Sequence, residues 1–468
     1  MRTSIIAFVV AGVFVACGSK GGSPFNKDAS GTTGEEGGPC NPDGTCNTGL
    51  ICADAICVKD DNPFLNDGEA EGAPPCIGLK CQQVNCGGPT TTTVTGTVYA
   101  PNGTLPLYNV IVYVPNAPLD PIPTGAVCDM CGSTVSGAPV VTALTDHLGK
   151  FTLKDVPAGT NIPLVVQIGK WRRSFTIPQV QSCANTALPK SMLRLPKNRK
   201  EGNIPKIAVT TGGCDPLACI LPKIGLDAAE FGVNSGGMER VTLYAGQSGS
   251  GPNGIQQAPT LWSNAVELKK FDVALFSCEC DEYNGDKTNP AAVETYLNSG
   301  GRLFGSHYHY TWHKNLIAAH AGTAQWGFST PGTPYKVDTS FPKGKALADW
   351  LFGPEVMAST VLGETTINEP RYDVSGVNAP TTRWIYGGTT THYLSFNTPA
   401  GKPVKQQCGK AVHAGMHIGS GGGTVDASFP AGCTMSLSPQ EKVLAFLFFD
   451  LSSCIQDETM IPKPPDPT

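Results

Sequence analysis

The chain has 468 residues, 55 of them glycine and 39 proline, with 15% charged residues, a net charge of −5 and a pI near 5.9. That length allows about three domains, each able to bury a core, and the composition argues for turns, strands and linkers over long solvated helices. The acidic balance argues against a nucleic-acid partner, because affinity for a polyphosphate depends on Lys and Arg displacing counterions.

The N-terminus, MRTSIIAFVVAGVFVACGSKGGS, pairs a positive start at Arg2 with an apolar stretch from Ile5 to Val15 and a small residue, Ala16, before Cys17. It reads as a secretory signal over residues 1–17, too short to span a membrane. It resembles a bacterial lipoprotein signal. That resemblance implies lipidation of Cys17, a membrane partner held through the lipid, and outer-membrane placement, since Gly18 is not the retention aspartate; plain secretion is the alternative. Residues 18–39, rich in Gly, Ser and Thr, form a flexible tether.

Next comes CNPDGTCNTGLICADAIC, four cysteines among turn residues in a knot over 40–58, which can bury no core and needs two crosslinks. A linker over 59–93 carries Cys76, Cys81 and Cys86. The chain has 18 cysteines, an odd 17 beyond Cys17, so export makes disulfides the default and leaves one thiol over. The groups Cys128/Cys131/Cys183, Cys214/Cys219, Cys278/Cys280 and Cys408/Cys433 follow. Cys278 and Cys280 are expected to be oxidised. CDMC at Cys128–Cys131 has zinc spacing, but no second CxxC or HxxxH stands nearby.

From 94 to 195 apolar and polar residues alternate between Gly, Pro and Asn turns, the signature of a small antiparallel sandwich. VTGTVYAPNGTLPLYNVIVYV followed by TDHLGKFTLKDVPAG resembles the carboxypeptidase regulatory-like domain. The resemblance implies a non-catalytic β-sandwich with Gly149 in a hairpin turn. His147, in that turn, reads as surface decoration. The basic run Pro189–Lys206 reads as a solvated stretch around a linker at 196–205.

Over 206–455 short apolar runs alternate with helical stretches. KIAVTTGG, RVTLYAG, FDVALFSCE and GRLFGSH read as buried parallel strands. NPAAVETYLNSGG is a helix with Asn289 capping, Pro290 in the first turn and Gly300 at the left-handed exit. SPQEKVLAFLFFDLSS carries a capping box from Ser438 to Glu441. Strand, crossover helix, strand predicts a doubly wound, flavodoxin-like α/β sheet. Residues 456–468 read as a disordered tail. The expected fold class is thus multidomain: Cys-rich knot, β-sandwich, then parallel α/β sheet.

In such sheets ligands gather beyond the carboxyl ends of the strands, where SCECDEY, GSHYHYTWH and GKAVHAGMH all fall. That places Glu279, Asp281, His307 and His417 at one crevice. Catalytic candidates are His307, His417 and Glu279. Metal candidates are His307, His309 and His313, with zinc as the divalent ion. An extended chain sets His307 and His309 on one side about 6.6 Å apart, whereas a helix begun at His309 pairs His309 with His313 and aligns His320. His413 and His417 lie about 13 Å apart on a strand, too far to share an ion. A histidine at a strand end can equally cap a backbone carbonyl, and His392 reads as an ordinary strand residue.

FDVALF, a capped helix and GGRLFGSH resemble the ThuA-like branch of the class I glutamine-amidotransferase-like fold. Mapped on that resemblance, His307 stands where amidotransferases carry a cysteine nucleophile, and imidazole cannot do that covalent chemistry. The resemblance therefore implies a carbohydrate-linked activity other than ammonia transfer. Three functions remain: an envelope-anchored binding or display protein with a glycan or envelope-protein partner, an extracytoplasmic metal- or His-dependent hydrolase of carbohydrate or peptide, and a structural envelope component. The sequence favours display, with the hydrolase as alternative.

Overall fold

The computed structural model describes residues 31–53, 55–59, 76–419, 429, 432–433 and 436–468. Cys17 and the signal lie outside the described residues. The chain divides into two compact units, Met1–Pro75 and Cys76–Thr468.

In the first unit the strands Leu50–Ala53 and Ile56–Lys59 pair antiparallel. Cys40–Cys52 and Cys46–Cys57 bond across this hairpin and supply the constraint that so short a segment cannot obtain from a core.

The second unit opens with two small sheets. Pro139–Leu144, Ile111–Pro115, Gly159–Ile168 and Trp171–Val180 lie side by side, all antiparallel. Thr93–Thr97 sits between Lys150–Leu153, antiparallel, and Asn185–Ala187, parallel. Alternation is visible in Lys150–Leu153, where Phe151 and Leu153 are buried and Lys150 and Thr152 exposed. Gly149 turns at φ +71, and a Cβ there would stand 2.8 Å from the Val98 carbonyl. The strands flanking it belong to different sheets, so this glycine carries the chain between sheets instead of closing a hairpin.

An eleven-stranded mixed sheet dominates the rest. Phe231–Gly232, Val241–Ala245, Ile207–Thr211, Val273–Phe276, Arg302–Ser306 and Gly409–Ala414 run parallel in that spatial order. Thr390–Thr398, Thr382–Gly387, Tyr335–Val337 and Glu364–Thr365 continue it antiparallel. Apart from the two-residue edge strand Phe231–Gly232, these parallel strands are buried along their whole length, which is why they read as apolar runs. Helix Pro290–Asn298 crosses between two of them and leaves through Gly300 at φ +109. Asn289 does not cap it; its amide donates to the Ser263 carbonyl at 3.0 Å instead. Helix Pro439–Ser452 does carry the reciprocal Ser438/Glu441 box.

The last helix packs against both regions. Trp171 of the four-stranded sheet is fully buried with its ring edge-on to Phe448 and Phe449, centroids 6.3 and 5.8 Å away. A side chain of that size contributes about 1.5–3 kcal/mol on burial. Cys128–Cys408 and Cys131–Cys454 bond the same regions covalently, so 94–195 and 206–455 share one compact unit.

Residues 456–468 are not a loose tail. The Glu458 carboxylate lies 2.5 Å from Lys410 Nζ and 2.9 Å from Lys343 Nζ, and Thr468 N–H donates to the Pro139 carbonyl. Asp450 completes the quartet at 2.7 Å from Lys343 and 3.1 Å from Lys410. Both lysines are wholly buried, so two carboxylates must balance two ammonium groups. Glu458→Gln leaves one buried charge uncompensated and is expected to destabilise the chain by roughly 3–5 kcal/mol in urea denaturation. A loss under about 1 kcal/mol would show that water reaches the quartet.

Candidate metal centre

Three adjacent parallel strands end at one rim, and each contributes a donor. Cys278 follows Val273–Phe276, His307 follows Arg302–Ser306, and His417 follows Gly409–Ala414. Cys278 Sγ lies 3.4 Å from His307 Nδ1 and 3.5 Å from His417 Nε2, and the two nitrogens are 3.1 Å apart. All three residues are buried. Among the described residues, Cys278 is the cysteine left outside disulfides, the thiol that the odd count requires.

Local backbone explains the convergence. His307 turns sharply off its strand at φ +39, a left-handed conformation uncommon for a residue with a side chain. The turn swings its ring inward, against Tyr308 with centroids 4.0 Å apart. His417 is held by its own carbonyl, which accepts from Gln440 Nε2 at 3.1 Å at the start of the last helix. Cys278 N–H donates to Ser306 Oγ at 3.0 Å, tying the first two strand ends together.

A fourth segment, Glu369–Asp373, closes the rim. It pairs with the His417 strand, Arg371 N–H donating to the Gly415 carbonyl at 2.9 Å. In this extended stretch alternate residues face the histidines. Glu369 Oε2 is 3.0 Å from His417 Nδ1, and Asp373 Oδ1 is 3.7 Å from His307 Nε2. Arg371 Nη2 lies 3.0 Å from His417 Nδ1 and 3.3 Å from Glu369. His417 Nε2, on the opposite side of the ring, faces the thiol. Asp373 Oδ2 is buried without a hydrogen-bond partner.

Burial sets the charge states. It pushes the Cys278 thiol up to about 12, so the sulfur is protonated at neutral pH when nothing else is bound. Burial, with help from His417 and Arg371, pushes His307 down to about 3, so its ring is neutral and able to donate a lone pair. Burial raises Asp373 to about 6.

The other sequence candidates go elsewhere. No set of His307, His309 and His313 forms. His309 spends both nitrogens locally, Nε2 on the Ser277 carbonyl at 2.8 Å and Nδ1 on the Trp312 indole N–H at 3.2 Å. His313 Nδ1 meets His320 Nδ1 at 3.1 Å in a separate buried pair. The reason is the backbone, which coils as a 3₁₀ turn over His307–Tyr310 and a π turn over Trp312–Leu316 and so has neither strand nor α-helical spacing. Glu279 is fixed by Lys287 Nζ at 2.7 Å and by Gln247 N–H at 2.7 Å, and Asp281 accepts from the Glu282 N–H. Cys280 bonds to Cys214 and not to Cys278, Cys219 to Cys433, and Cys408 to Cys128. Sequence reasoning missed Cys278 as a donor and the NEPRYD segment; the alternation of Glu369, Arg371 and Asp373 was the available signal.

The donors suit a transition-metal ion. A tetrahedral ion with nitrogen at about 2.0–2.1 Å and sulfur at about 2.3 Å keeps its donors roughly 3.3–3.6 Å apart. Each histidine also has a carboxylate near its far nitrogen, the outer support usual for metal-bound imidazole.

No family model matches the chain, and no curated protein matches it. Among solved structures it is similar to a type II cohesin–X-dockerin complex, an N-terminal interface mutant from Acetivibrio cellulolyticus, at 18% identity. That match covers 31% of this chain and 78% of the other, with a TM-score of 0.15. It is also similar to the cytoplasmic protein STM3548 from Salmonella typhimurium, at 11% identity over 53% of this chain and 98% of that one, TM-score 0.27. Likeness of that degree carries neither fold nor function.

Buried imidazoles away from the centre predict an acid response. Burial holds His392 and His320 at about 4 and His413 at about 3, against an ordinary value near 6.5. Between those values the unfolded chain binds protons that the folded chain refuses, so this stability is complete above about pH 6.5 and is lost as pH falls towards 3–4. Denaturation midpoints of chelator-treated protein should fall steadily from pH 7 to pH 4 (roughly the window those values span). A flat profile would mean that the rings are solvated.

Proposed function

We propose that this is an exported protein of the bacterial cell envelope, tethered through Cys17, whose α/β region is a metal-dependent hydrolase. The observation that carries the reading is the meeting of Cys278, His307 and His417 within 3.1–3.5 Å, with Glu369 and Asp373 beside the far nitrogens of the histidines. Those three side chains would hold one divalent ion, zinc being the ion whose ligand types they match. Such an ion, when bound, supplies an activated water and a Lewis acid.

The chain's own residues supply the rest. Cys278, protonated by burial, must yield its proton as the ion enters, so affinity rises with pH. Glu369 orients His417, and Asp373 presents its unpartnered Oδ2 where a water proton can be taken. A free-thiol mechanism is disfavoured, because a thiol held near 12 has almost no thiolate at neutral pH.

The remaining assignments fit around this reading. The three- and four-stranded sheets are taken as the carboxypeptidase regulatory-like sandwich, and the six-stranded parallel run as the flavodoxin-like core of a ThuA-like domain. Strand number and direction support both. Eight disulfides among the described residues suit an oxidising compartment, and no described helix is long and apolar enough to cross a membrane. Carbohydrate or peptide is the substrate class that water activation serves.

Purified mature protein is expected to bind zinc at one ion per chain by elemental analysis. Cys278→Ala, His307→Ala and His417→Ala should each abolish stoichiometric binding, and Glu369→Gln should weaken it about 10–100-fold. Protein that takes up no metal yet binds envelope glycan would sink the hydrolase and leave a display module.

A further inference from the structure

The loop carrying Cys278 is bonded two residues later to the neighbouring strand end through Cys214–Cys280. Cys280 stands at φ +76, a conformation that a residue with a side chain keeps only where its surroundings impose it. The two loops are pressed together. Cys214 N–H donates to the Cys278 carbonyl at 3.2 Å, and a Cβ on Gly212 would fall 2.1 Å from that oxygen.

Beside Cys214, the buried Asp215 reaches the opposite ligand loop. Its carboxylate accepts from Ile418 N–H at 3.1 Å and Gly419 N–H at 2.8 Å, directly after His417. Its carbonyl accepts the Ser277 hydroxyl, directly before Cys278. Residues 214 and 215 therefore brace two of the three donors at once, and the disulfide locks the brace to the Cys278 loop.

We propose that formation of the Cys214–Cys280 disulfide regulates the centre: through this brace it sets the Cys278–His417 spacing, so the chain becomes competent for its ion only after oxidation outside the cytoplasm. The proposal rests on the metal reading above. The bond forms from two thiols, with two electrons and two protons passing to a protein disulfide of the exporting compartment. Before that, Cys280 relaxes out of its left-handed conformation and carries Cys278 with it. Oxidation also removes the Cys280 sulfur as a competing ligand two residues from Cys278.

The test uses the oxidised, mature full-length chain, with zinc affinity measured by competition against a chromophoric chelator and thiolate ligation by the cobalt(II) charge-transfer band. Cys214→Ser/Cys280→Ser is expected to bind zinc at least about tenfold more weakly and to lose the band, with its circular dichroism retained. Asp215→Asn, which removes one of the two acceptors and leaves every disulfide intact, should weaken zinc in the same sense. A folded double variant binding zinc within about twofold of the unsubstituted chain overturns the proposal. If the double variant does not fold, unchanged affinity in Asp215→Asn overturns it. Failure of the unsubstituted chain to bind zinc is a different outcome, which removes the metal reading itself.

Discussion

The mouth of the mixed sheet depends on three strands that are neighbours and point the same way. Parallel strands lie about 4.8 Å apart, so residues just past their ends are delivered to one spot without long excursions. An antiparallel partner would have sent the third donor to the far edge. Since Arg302–Ser306 is flanked on one side by Val273–Phe276 and on the other by Gly409–Ala414, the residue that follows it, His307, sits between the other two donors. Its reversal at φ +39 is the one sharp backbone feature needed to turn adjacency into contact.

Burial acts in opposite directions in two parts of the molecule. At the mouth it favours uncharged forms, a protonated thiol at Cys278 and a neutral imidazole at His307, because desolvation is the largest influence on both. In the Lys343, Lys410, Asp450 and Glu458 quartet it is tolerated because signs alternate at salt-bridge distance. Neutral donors with free lone pairs are receptive to a cation, whereas the quartet is already saturated. The two clusters look alike as buried ionisable groups, and only the pairing of charge separates a receptive centre from a structural one.

Much of the frame was legible in the chain itself. Four short apolar runs, ended by glycine or by polar residues, became strands of the parallel region, and Ser438, Pro439 and Glu441 started the last helix. His307 and His417 fell at the same rim because strand ends in such a sheet share an edge. What local pattern could not carry was the path after the strand. Whether His309 points with His307 depends on φ at a single residue, and a 3₁₀ turn followed by a π turn has no hydrophobic period to betray it. Partners far apart in sequence were equally hidden. Cys131 and Cys454 are 323 residues apart, and spacing offers no reason to join them. Asn289 resembled a cap by type, yet a carbonyl from another segment claimed its amide.

The closing segment has a bearing on when the fold can be completed. Two ammonium groups from the middle and late parts of the chain receive their second counter-ion only from position 458, and Cys131 waits for position 454. A nascent polypeptide halted before those positions cannot seal its interior.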